Sequence, residues 1–150
     1  MAVYEASVQT TAAASGAAFL AFQNAAAAAG VRAQIFEIGI ATNAATLSAL
    51  GLVRAASNGT ASGTPLVGQP LDPAETQTAQ CSLATAWSAA PTAGSYYLRQ
   101  FQAAAVQGSG VIWTWPPDAP LVVAQASQLL LVNFGISAGS ALSVYMRWKE

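Results

Sequence analysis

The chain has 150 residues, 54% of them hydrophobic and only 7% charged, and contains no histidine. Without an imidazole, Ser-His-Asp and Cys-His nucleophile systems and His-ligated metal centres are excluded. Five basic and six acidic residues are scattered singly, for a net charge of −1, which leaves no basic patch able to neutralise several phosphates and so no direct nucleic-acid partner.

A chain of this length is expected to form one domain with a core that needs neither disulfides nor metal. Globular surfaces ordinarily carry far more charge, so much of this surface must be neutral-polar or covered by partners. Disorder does not explain the composition, because disordered chains combine low hydrophobicity with high charge. The uncharged stretches 6–31 and 119–146 are long enough to span a bilayer. The first, however, is mostly alanine with interspersed amides and hydroxyls, and the second is broken by Pro120, Asn133, Gly135 and Gly139. No membrane insertion is expected. No basic flank precedes the first stretch, so no secretory signal is expected either.

In chain order, residues 1–11 alternate Val3, Glu5, Ser7 and Gln9 against Tyr4, Ala6, Val8 and Thr10. Such a segment either completes a sheet at home or adds to the edge of a neighbour's. We therefore divide the chain into an N-terminal arm or extra strand over 1–16 and a single domain over 17–150. A first strand is expected near 17–23. The alanine-rich run that follows reads as a turn, with a short helix over 24–29 as the alternative. The second strand, near 31–42, sets Phe36, Ile38 and Ile40 against Glu37, Gly39 and Ala41. A third follows near 47–55.

Residues 56–78 form a long connection rich in Gly, Pro, Ser and Thr. Its Leu66, Val67 and Leu71 point to packing on something, a neighbouring subunit being a natural candidate. A fourth strand near 79–87 places Cys81, Leu83, Thr85 and Trp87 on one face, which makes Cys81 a buried, inert thiol. A fifth, near 96–105, has the mixed texture of an edge. Gly108-Ser109-Gly110 reads as a hairpin turn, since no lysine follows it and a phosphate cradle needs a helix after it. The sixth strand, near 110–115, stops at Pro116-Pro117. The seventh, near 128–135, contains the run LLLVNF and is expected to be buried on both faces. The last, near 141–149, alternates Leu142, Val144, Met146 and Trp148 with Ser143, Tyr145 and Arg147. Short strands at this spacing predict an all-β fold, a sandwich or barrel. Their order suggests a jelly-roll β-sandwich of about eight strands with an extended N-terminal segment.

No catalytic constellation emerges. Asp72, Glu75 and Asp118 sit in proline-containing turns, and no two carboxylates have the context of a paired acid and base. Neither an enzyme nor a cofactor or metal site is expected. Glu37, in mid-strand, needs a partner, for which Arg54, Arg99 or a group on another subunit are the options. Trp87 and Trp148 fall on apolar faces and belong to the core, whereas Trp113 and Trp115 point the same way beside the two prolines and form a partly exposed ledge.

Three stretches, FEIGIATNAATLSALGLVRA at 36–55, GSGVIWTWPPDAPLVV at 108–123 and LLLVNFGISAGSALSVYMRWKE at 129–150, together resemble small virion structural proteins of tailed bacteriophages. These are the single-jelly-roll proteins that decorate or cement a capsid, and the likeness spans 17–150. The resemblance implies a homotrimer on the capsid exterior, bridging major-capsid-protein subunits and without catalytic residues. On this reading Val3, Tyr4, Val8, Trp113 and Trp115 are the candidate partner contacts, and loss of residues 1–12 would spare the fold. The alternative is a carbohydrate-binding jelly roll, receptor-binding or adhesin-like, with Trp113, Trp115, Tyr96 and Tyr97 as its stacking surface.

Overall fold

The computed structural model describes residues 2–24 and 32–150. The strands are β1 (Val3–Gln9), β2 (Ala18–Asn24), β3 (Ala33–Thr42), β4 (Ser48–Ser57), β5 (Thr60–Ala61), β6 (Leu66–Val67) and β7 (Gln69–Pro70). They continue with β8 (Cys81–Ala84), β9 (Trp87–Ala89), β10 (Thr92–Ala103), β11 (Gly110–Thr114), β12 (Leu121–Val123), β13 (Ser127–Asn133) and β14 (Leu142–Lys149). No helix occurs among the described residues. The choice between turn and helix at 24–29 falls, beyond Asn24, outside the described residues.

One six-stranded sheet has the order β11-β3-β14-β1-β7, with β12 paired to the start of β3. A second has the order β10-β4-β13-β2-β8-β6, and β5 and β9 form a small ribbon. All pairings are antiparallel. The inner faces of the two large sheets enclose one core, to which Ile35, Ile38, Val144, Met146 and Trp148 contribute from the first and Phe22, Leu50, Leu52, Leu129 and Leu131 from the second. Trp148 joins the layers: its ring stacks on Tyr4 (6.1 Å between centroids) and meets Phe22 edge-on (5.1 Å).

The alternation predicted for β14 is the one observed, with Leu142, Val144, Met146 and Trp148 buried. In β3 it breaks. The register passes from Arg147 opposite Glu37 to Trp148 opposite Ile35, so Phe36 is an extra residue on a bulge. Ile35, rather than Phe36, therefore joins Ile38 and Ile40 inside. Strand β13 is buried on both faces, as its unbroken apolar run predicts. Its outer face is covered by Trp87, which packs with Ala93 on a second cluster of Ala21, Val53, Leu130 and Val132. Trp87 thus belongs to this outer layer and not to the main core, because the segment predicted as one strand over 79–87 splits into β8 and β9.

One open alternative is resolved and two other expectations change. Residues 3–9 form β1 inside the home sheet, between β14 and β7. The long connection also packs at home: β7 pairs with β1, β6 pairs with β8, and the Tyr4 hydroxyl donates to the Gln77 carbonyl at 3.1 Å. Gly68 is required there, since a Cβ would lie 2.4 Å from the Trp148 ring. Finally, Gly108-Ser109-Gly110 is not a hairpin, because β10 and β11 belong to different sheets. It is a corner between layers, turned by Gly108 at φ +82° and held by Thr42, whose carbonyl accepts from the Gly108 N–H.

Cys81 is fully buried. Burial raises its thiol far above its ordinary value of 9.0, and the neighbouring Glu150 carboxylate adds to the effect. Native Cys81 is therefore expected to resist alkylation until the chain unfolds, as mass spectrometry with and without denaturant will test. The unfolded thiol releases its proton at lower pH than the folded one, so this group's contribution to stability is complete below pH 9.0 and declines as pH rises beyond it.

Candidate interaction surfaces

The five candidate contact residues do not form one surface. Tyr4 is 1% exposed, with its ring on Trp148 and its hydroxyl on Gln77. It is closed to any partner. Val3 and Val8 are half-buried, and Val8 packs against the core. Trp113 is 7% exposed and joins the core cluster. Trp115 packs against the same cluster, and the Arg99 guanidinium sits over its ring at 5.5 Å from the centroid. The predicted ledge is absent: Val111, Trp113 and Trp115 share the inward face, and Arg99 caps it where β10 and β11 part. Of the carbohydrate set, Tyr96 is exposed on a bulge of β10, while Tyr97 lies over Gly51 and against Phe134 (5.5 Å).

Glu37 finds a partner in neither Arg54 nor Arg99. Strand β14 runs between β1 and β3, so Arg147 stands opposite both Glu5 and Glu37. Its guanidinium contacts the Glu5 carboxylate and lies 3.4 Å from Glu37. The Glu5 hydrogen bond raises the Arg147 pKa above its usual range, and burial followed by the Glu37 carboxylate raises that of Tyr145. The three charged groups are all partly solvated, so they fix strand register more than they stabilise the fold. Beside them the Tyr145 ring lies over Gly39 and borders an open apolar cleft of about 460 Å³ with Gly110, Ile112 and Ser143. Arg54 donates instead to the Val122 carbonyl at 2.9 Å.

The best-organised surface lies at one end of the sandwich. There the β1–β2, β3–β4, β10–β11 and β13–β14 connections converge, and buried polar side chains tie them together. The Asn133 amide donates to the carbonyls of Ala13 (2.9 Å) and Ser137 (2.8 Å), and its oxygen accepts from the Gly135 N–H (2.9 Å). The Ser48 hydroxyl accepts from the Ser140 N–H (2.8 Å), and the Ser140 hydroxyl from the Ala44 N–H (3.1 Å). The Thr42 hydroxyl donates to Val106 (2.9 Å), and the Thr10 hydroxyl accepts from the Leu142 N–H (3.0 Å). All five of these side chains are buried. Apolar side chains stand out from this frame: Ile136 is 102% exposed, and Leu47 and Val106 are each 61% exposed. Between Leu47 and Ile136 lies a cleft of about 250 Å³ floored by Ala49 and Phe134.

Sequence reasoning assigned residues 10–16 to the arm and Leu47 to the start of a strand, and read Gly108-Ser109-Gly110 as a hairpin turn. The overlooked signal was an isolated apolar residue in three of the four connections: Leu47, Val106 and Ile136. Asn133→Ala is expected to cost about 1–3 kcal/mol, because it leaves the buried Ala13 carbonyl, and the more solvated Ser137 carbonyl and Gly135 N–H, without their partner. Urea denaturation will measure the loss, and hydrogen exchange should localise it to residues 134–141.

No protein-family model, curated protein or solved structure matches this chain.

Proposed function

We propose that this chain is a non-enzymatic virion structural protein that decorates and stabilises the exterior of a bacteriophage capsid, assembling as a homotrimer and bridging major-capsid subunits. The observation that carries the reading is the end just described, where exposed apolar side chains stand on a frame rigidified by buried hydrogen bonds. Apolar groups held so firmly in water favour contact with protein, since little ordering entropy remains to be lost on association. Two further features support it. The strands of five or more residues fall into the orders β11-β3-β14-β1 and β10-β4-β13-β2, as in a jelly roll whose successive strands alternate between sheets, a fold common among capsid domains. The remaining short strands then extend or cover that framework. The resemblance of residues 36–55, 108–123 and 129–150 to phage decoration proteins points the same way.

The arm no longer serves as the bridge, because β1 is part of the sheet; bridging falls to the loops. The carbohydrate reading has less support, since Trp113 is buried and Arg99 occupies a face of Trp115. Co-sedimentation with empty capsids of the parent particle tests the proposal. Saturable binding at a fixed ratio to the major capsid protein is the expected result. Absence of binding, together with recognition of a defined sugar on a glycan array, would replace it with the carbohydrate reading.

A further inference from the structure

We propose that the end formed by the β1–β2, β3–β4, β10–β11 and β13–β14 connections is the face through which copies of this chain meet one another. The inference deepens the assembly part of the function proposed above and does not depend on the capsid part.

The distribution of charge carries the argument. The stretches 6–24, 38–53, 100–114 and 130–146, which build this end, the whole of β2 and β11 and the adjoining parts of the other long strands, contain no charged residue. The other parts of the chain hold all eleven: Glu5, Arg32, Glu37, Arg54, Asp72, Glu75, Arg99, Asp118, Arg147, Lys149 and Glu150. The four stretches are far apart in sequence, and only the strand order brings them to one place. Around a rotation axis relating identical subunits, the residues close to the axis meet their own images, so any charge placed there meets its like. A face for an unlike partner has no such constraint and commonly uses complementary charges for steering and register. A surface cleared of both signs, with Ile136, Leu47 and Val106 exposed, therefore fits a second copy of itself.

Sedimentation velocity on the intact protein tests this over a range of concentration and salt. Self-association of the wild type should be insensitive to ionic strength, because no ion pair forms across the face. Ile136→Glu and Leu47→Glu should each weaken association by about tenfold or more. Both side chains already face water, so thermal melting should confirm an intact fold. Leu71→Glu, beside Val3 at the opposite end, should associate as the wild type does.

Wild-type-like association of both Ile136→Glu and Leu47→Glu would overturn the inference, as would a steep loss of association with salt. Loss of capsid binding with undiminished self-association in Ile136→Glu would overturn it too, by making this the capsid-facing end. If the wild type self-associates through Ile136 yet ignores capsids, the capsid proposal fails and this one stands.

Discussion

Deletion of residues 1–9 is expected to abolish cooperative folding. All seven residues of β1 pair with β14, from Val3 opposite Lys149 to Gln9 opposite Ser143. The deletion removes Tyr4 and Ala6 from the core, takes the stacking partner from Trp148 and strips Glu5 from Arg147. Burial of a large side chain such as Tyr4 contributes about 2–3 kcal/mol. With the flanking residues and the lost ladder, the total approaches the roughly 5–15 kcal/mol that holds a domain together. Strand β14 would also become an exposed edge open to aggregation. Circular dichroism and size-exclusion chromatography will show the effect. A soluble truncated chain with a cooperative melt would contradict the interior placement of β1 and restore the view of this segment as a dispensable arm.

Trp148→Ala carries the next largest effect. The indole is fully buried where the two sheets and the long connection meet, against Tyr4, Phe22 and Gly68. Its truncation leaves a cavity walled by both layers, with an expected cost of about 3–5 kcal/mol. In a domain of this size that lowers the melting temperature by roughly 10 °C or more. Gly68→Ala probes the same space from the other side. It should destabilise the wild type, because its Cβ would lie 2.4 Å from the indole, and should cost much less in the Trp148→Ala background. A double-mutant cycle will measure that coupling. Additive effects would mean that Gly68 and Trp148 do not compete for the same space.

Much of the sandwich was legible where one strand reports its own environment. Leu142, Val144, Met146 and Trp148 alternate because β14 has one face on the core, and the run from Leu129 to Val132 is unbroken because β13 has apolar neighbours on both faces. Pairing between distant strands was not legible in this way. Alternation in residues 3–9 says that a strand exists, but not whose sheet it enters. Glu37 could be matched with Arg147 only once β14 was known to lie beside β3. Trp113 and Trp115 were read as a ledge because the prolines after them end the strand. Trp113 instead joins the core from the inward face of β11, and Trp115 is covered by Arg99, which follows a bulge in β10. Strands of two or three residues, such as β5, β6, β7, β9 and β12, are shorter than any period can reveal. The uncharged end was invisible for the same reason: its four stretches are unremarkable singly and become a surface only through the topology.

The central claim, that this chain acts by assembling, is tested most directly by its mass in solution. Light scattering across a dilution series should give a particle of three 15.2 kDa protomers that persists at low concentration and in high salt. A mass of 15.2 kDa at every concentration would contradict the account, and the exposed Ile136, Leu47 and Val106 would then require another explanation.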